Sequence, residues 1–301
     1  MGSTVRIGSG DGDTEAEFVP EANMVCCSLR HRGAELLDRG QGLQAYAQRG
    51  KTMGIPLLYP WANRLAGPSY RVGETTVRLP AADGRYATDP GGLPIHGALP
   101  GHLRWTVQAG SPSDRMSARL AWHSSELLEL FPFEHELVME PQVHDGGGLT
   151  LTTTLRATGT SQVPVAFGFH PYLRLPGSSR RDWRVVLGAT ERLVLDERMI
   201  PTGAREPLVD RELVLGEQSW DDGLAGLEKP ARFTVSDGDT TVTVAFEEGF
   251  DYAQVYAPPA HDYICFEPMT APTNALNSGE GLSLVAPGEE HRTRWSVTVT
   301  R

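Results

Sequence analysis

Five polar side chains stand in sequence that would otherwise be buried. Asn63 and Arg64 follow Pro60-Trp61, His96 lies between Ile95 and Gly97, His170 between Phe169 and Pro171, and Glu267 between Phe266 and Pro268. An ionisable group taken out of water must be paired, neutralised or used. Taken singly, each reads as packing: a histidine in an apolar strand is commonly hydrogen-bonded core, and a glutamate before proline can end a strand or hold an arginine. Taken together, two histidines, a carboxylate, an Arg-Asn pair and neighbouring aromatics supply an acid, a base, hydroxyl-binding donors and stacking faces, which is what a sugar site needs. His96, His170 and Glu267 also match the ligand types of several zinc and iron enzymes, but no HExxH or H-x-H spacing joins two of them.

The elements that must position these residues are strands. Apolar residues alternate at Leu149, Leu151 and Leu155, at Val242, Val244 and Phe246, and at Trp295, Val297 and Val299, the period of half-buried strands. Asp145-Gly-Gly-Gly and Ser236-Asp-Gly-Asp separate such runs, where glycine supplies the positive φ of a hairpin. With 33 glycines and 22 prolines in 301 residues, many turns and antiparallel sheets are predicted. Helices should be few and short; the best candidate is Ser125 to Leu130, ended by Pro132. The chain reads as one unit over 1–301, its terminal strand around Trp295 built into a sheet. Loops at 54–68, 89–101, 164–177 and 257–290 carry the polar clusters, and loops are where chemistry is commonly mounted on a β scaffold.

A net charge of -11 argues against nucleic acid, which draws on clustered Lys and Arg. No stretch approaches the roughly 20 apolar residues of a membrane-spanning helix, so a cytoplasmic protein with a small-molecule partner and no membrane partner is expected. Cys26, Cys27 and Cys265 offer neither a disulfide framework nor zinc spacing, and read as buried packing in a reducing compartment. No P-loop or dinucleotide glycine fingerprint occurs.

The segments GIPLLYPWANRL from Gly54, LPIHGAL from Leu93, VAFGFHPYLRL from Val165 and ICFEPMTAPTNAL from Ile264, with APGE from Ala286, resemble the aldose 1-epimerase (galactose mutarotase-like) family. Its members carry PW-x-NR, HG, G-x-HPY and late EP segments in this order, followed by a PGE turn. The resemblance extends from about Glu17 to Arg301, and FPFEHELVMEPQV near residue 131 resembles the strand between the family's HG and HPY segments.

The resemblance implies an all-β fold, a large antiparallel β-supersandwich with the sugar in a cleft on one sheet. It also implies roles: Glu267 as general base at the C1 hydroxyl, His170 as general acid at the ring oxygen, and His96, Arg64 and Asn63 as substrate-binding residues. The family's sugar-gripping aspartate is sought in Trp220-Asp-Asp-Gly, as Asp221 or Asp222, with Asp221 preferred. Acid and base are expected on opposite sides of C1 and the ring oxygen, with Trp61 or Tyr172 packed in support. Such a reaction needs no metal and no cofactor.

Two departures bear on substrate. RATGTSQVP follows Leu155 where many members carry Asn, and the loop from Asp251 to Asp262 has no family motif. The family includes hexose-6-phosphate epimerases that hold phosphate with added arginines, and Arg71, Arg78 and Arg85 are candidates whose plainer reading is exposed charge. A non-catalytic sugar-binding module is the remaining alternative, against which stands the retention of both acid and base.

Overall fold

Period-2 burial builds two large sheets in the structure, a computed structural model that describes residues 4–81 and 84–301. Strand accounts for about 49% and helix for about 8%, in line with the strand-rich, helix-poor expectation. The strand His135–His144 buries every second residue along its length and pairs with Gly148–Ala157 through the predicted Asp145 turn. Gly146 and Gly147 take φ of 77° and 96° there, a region that β-carbons disfavour.

The larger sheet has nine antiparallel strands. In spatial order these are Thr106–Val107, Ala118–Trp122, His135–His144, Gly148–Ala157, Glu290–Thr300, Thr241–Glu248, Ala231–Ser236, Arg184–Val186 and Glu212–Val214. The Glu290–Thr300 strand thus lies inside the sheet, with Trp295 opposite Leu151 and Phe246. Ala286-Pro-Gly-Glu is the turn that feeds it, closed by the Glu289 N–H donating to Ala286 O at 2.9 Å.

The second sheet has eight strands. Seven run in the order Pro201–Pro207, Ala189–Leu195, Trp220–Leu227, Tyr252–Ala257, Ile264–Met269, Gly168–Phe169 and Leu57–Leu58, and Tyr172–Leu173 also pairs with Ile264–Met269. The two sheets pack face to face. Trp295 of the first meets Phe169 of the second with ring centroids 5.2 Å apart, and Phe233 meets Phe266 at 5.7 Å. Successive strand residues point to opposite faces, so Phe266 in the core sends Glu267 to the other side of the smaller sheet.

Three short α-helices are present among the described residues, Leu43–Arg49, Ser125–Leu130 and Ala275–Ser278. Ser125–Leu130 is the predicted one, its first turn capped by Ser124 Oγ accepting from the Leu127 N–H at 3.4 Å, a usual N-cap role for serine. Leu43–Arg49 is unannounced in the sequence because it buries only Ala45 and Tyr46, too few positions to print a 3.6 period. No helix among the described residues is long and apolar enough to cross a membrane.

The predicted loops need correction: 54–68 contains the strand Leu57–Leu58, 89–101 contains Pro94–Ala98 and 164–177 contains Gly168–Phe169 and Tyr172–Leu173, and two further stretches hold longer strands. The stretch from Asp251 to Asp262 contains the strand Tyr252–Ala257, and 257–290 contains Ile264–Met269 and Ser283–Val285. In the first, Tyr252, Gln254 and Tyr256 alternate with Ala253, Val255 and Ala257, so a polar face hides the apolar period that marks a half-buried strand. In the second, all six residues of Ile264–Met269 are buried, so the run lacks alternation altogether.

Candidate active site

Register on the smaller sheet assembles one polar face. Across neighbouring strands Asp221 pairs with Tyr256, Gly223 with Gln254, Gln254 with Glu267, Tyr256 with Cys265 and Cys265 with Tyr172. Residues directly opposite in a ladder share a face, so Asp221, Gln254, Glu267 and Tyr172 stand together on the side away from the core. Asp222 pairs with Val255 on the opposite face and approaches Arg192 at 3.4 Å. Strand alternation therefore separates two adjacent aspartates that the sequence left as alternatives.

His170 enters this face from the segment between Gly168–Phe169 and Tyr172–Leu173. A side chain at Gly168 would overlap Met269 Sδ and lie 2.8 Å from Pro268 O, so glycine lets the histidine segment close against the Glu267 strand. His170 Nε2 and Glu267 Oε1 are 3.4 Å apart, with the two side chains 8% and 1% exposed. The Tyr172 ring stacks on the His170 ring at a 4.5 Å centroid distance and an interplanar angle of 1°. Its hydroxyl stands 3.4 Å from His170 Nε2 and 2.6 Å from Thr52 Oγ1. Trp61, also expected in support, is buried and packs toward Tyr70 with centroids 6.2 Å apart.

The Asn63-Arg64 and His96 segments cover this face as a strained pair. The His96 N–H donates to Asn63 O at 3.0 Å, and Arg64 bridges Ile95. Asn63 and His96 both sit at positive φ, 53° and 62°, a conformation that costs roughly 1 to 2 kcal/mol per non-glycine residue. Gly97 follows at φ 73°, where a Cβ would lie 2.7 Å from Pro60 N and overlap Tyr59 O. The close approach turns the His96 ring toward His170, with centroids 5.8 Å apart.

Burial dominates the electrostatics. It raises the Glu267 carboxyl well above its usual range, helped by Asp221 and opposed by Arg64. It pushes the His170 imidazole well below its usual value, with His96 adding to the effect, and takes His96 down to about 3, with Arg64 contributing. Asp221 is also raised by burial, against the pull of Arg64 and the Gln254 hydrogen bond. Both shifts favour the neutral forms, so a single proton shared by Glu267 and His170 is the count that leaves no net charge on the buried pair.

The expected residues Glu267, His170, His96, Arg64, Asn63 and Asp221 converge, with His170 and Glu267 side by side. Arg71 and Arg78 are exposed on the outer face of the hairpin Ser69–Val72 with Thr75–Arg78, and Arg85 is ion-paired with Glu129. Gln254 and Asp89 are among the residues of the polar face that were not anticipated. Gln254 Nε2 donates to Asp221 Oδ1 at 2.7 Å, and its alternation with Tyr252 and Tyr256 was the signal for it. Asp89 Oδ2 accepts from Arg64 Nε at 2.8 Å; nothing local in the sequence marks that pair. His170 Nδ1, His96 Nδ1 and Glu267 Oε2 are buried without a hydrogen-bond partner among the described residues. Among those residues no group of three or more His, Cys, Asp or Glu side chains is gathered as a metal ion requires.

A family model described as aldose 1-epimerase matches residues 25–298. The uncharacterized protein YihR of Escherichia coli (strain K12) is 24% identical over 285 residues, covering 88% of this chain and 89% of that protein. A galactose mutarotase-like protein from Clostridium acetobutylicum superposes with a TM-score of 0.85 at 18% identity, covering 99% of this chain and 95% of that one. A protein of Synechocystis sp. PCC 6803 gives a TM-score of 0.80 at 24% identity over 100% and 96% of the two chains. At such identities the structural likeness carries the fold.

Proposed function

Because the chain belongs to the aldose 1-epimerase family, we propose that it interconverts the α and β anomers of an aldose by acid-base opening and closure of the hemiacetal ring. The observation that carries this reading is the buried His170 and Glu267 pair, 3.4 Å apart, with further polar atoms beside it lacking protein partners. The C1 hydroxyl and ring oxygens are bonded to the same carbon, so neighbouring groups can reach one each.

In ring opening, the Glu267 carboxylate takes the proton of the C1 hydroxyl. The bond between C1 and the ring oxygen breaks, its electron pair goes to that oxygen, and His170 supplies a proton there. The new carbonyl rotates about the adjacent carbon–carbon bond, and closure from the other face returns both protons. The pair carries one proton throughout, which is the count that burial favours. Ring opening requires that proton on the imidazole, and the positive charge of Arg64 favours the ionised carboxylate it leaves behind. Arg64, His96, Asn63 and Asp221 hold sugar hydroxyls, with Gln254 fixing Asp221.

The test is polarimetry of freshly dissolved α-glucose and α-galactose. With protein, optical rotation should reach its equilibrium value faster in proportion to enzyme concentration; a rate equal to buffer alone for every aldose tried would overturn the proposal.

A further inference from the structure

Arg64 reaches the polar face of Asp221 and Glu267 with one edge already committed. Its Nε donates to Asp89 Oδ2 at 2.8 Å, and the two side chains are only 15% and 9% exposed. Asp89 is fixed in turn: its Oδ1 accepts the Leu93 N–H at 2.9 Å, its own N–H donates to Leu93 O at 2.9 Å, and its carbonyl accepts the Gly92 N–H at 3.0 Å. This turn leads directly into Pro94–Ala98, the strand that carries His96. Arg64 in turn acts electrostatically on His96, Asp221 and Glu267.

We infer that Asp89 is a positioning residue of this site, holding Arg64 by Nε so that its terminal nitrogens serve the cleft and balancing the charge of that arginine beside Glu267. The inference rests on the epimerase reading. A planar guanidinium gripped at one edge loses little freedom when it binds a hydroxyl at the other. The charge balance matters because a neighbouring cation draws a carboxyl toward its ionised form. The groups facing Glu267 are His170, Asp221, Arg64, Tyr172, Tyr256 and Cys265. Arg64 is the cation among them, and it is the group that Asp89 neutralises.

Asp89→Asn keeps the shape of the turn and removes the charge. It should raise KM about tenfold and move the alkaline limb of the pH-rate profile to lower pH by about half a unit or more. Asp89→Glu, which retains the charge, should keep that limb near the wild-type position. A folded Asp89→Asn protein with wild-type KM and wild-type limb would overturn the inference, and so would a loss of melting temperature with the limb unmoved. A second readout does not depend on turnover. The pH at which Glu267→Gln ceases to gain stability over its parent reports the native Glu267 titration, and it should fall when Asp89→Asn is the parent. If the wild-type protein turned over no aldose, the epimerase reading would fail; an unchanged stability midpoint would sink the Asp89 inference separately.

Discussion

Glu267 is held where its charged form is disfavoured, so under the proposed mechanism turnover and stability are coupled at one residue. Burial first, then Asp221, raises the native carboxyl above the usual 4.5, so the folded chain binds that proton more tightly than the unfolded one. The stability from Glu267 is fully present below pH of about 4.5 and is lost as pH rises through the native value. Glu267→Gln removes the ionisation while keeping hydrogen-bonding capacity. It should lower turnover by roughly 10² to 10⁴-fold yet unfold at the same or a higher temperature at neutral pH; a folded variant with wild-type mutarotation would mean the base lies elsewhere. His170 runs the other way, since burial and then His96 depress it below 6.5. Its stabilisation is present above that pH and is lost as pH falls toward the native value. Accordingly kcat/KM should be level through neutral pH, falling at low pH as the pair gains a second proton and at high pH as it loses its only one. His96→Asn should retain more activity than His170→Asn if positioning is its role, which polarimetry on matched variants would check.

At the scale of elements, two glycines let separate strands meet closely enough to form the site. Gly97 carries φ 73° and has no room for a Cβ against Tyr59 and Pro60, and Gly168 lies against Pro268 and Met269. Gly238, at φ 102° in an exposed hairpin, meets nothing within 4 Å. Gly238→Ala should therefore cost about 1 kcal/mol, a conformational term alone. Gly97→Ala and Gly168→Ala must also move backbone, and should each cost at least about 2 to 3 kcal/mol and reduce kcat more than stability alone accounts for. Chemical denaturation and polarimetry on the three variants separate these outcomes; equal losses at all three would deny the close approach its role.

At the scale of the whole molecule, the core between the sheets supports the cleft from behind. Trp295, fully buried, lies against Phe169, the residue before His170. Trp295→Ala should cost about 3 to 5 kcal/mol, read as a shift in the denaturation midpoint, and should weaken the His170 and Glu267 geometry so that kcat falls in the protein that remains folded. Much of this architecture was legible in the chain. Alternation at Leu149–Leu155, Val242–Phe246 and Trp295–Val299 and the glycine turns between them dictated antiparallel sheets, because strand period and hairpin chemistry are local properties. The polar residues set in apolar sequence marked Asn63, Arg64, His96, His170 and Glu267 for the same reason: their unusual burial is visible one residue away. Tyr252–Ala257 was lost because its polar face blurred the alternation. Which of Asp221 and Asp222 shares a face with Glu267, the bond from Gln254 to Asp221, and the hold of Asp89 on Arg64 across 25 positions depend on register between strands and on loop closure. No local pattern encodes which residues stand opposite one another, so only the tertiary structure decided them.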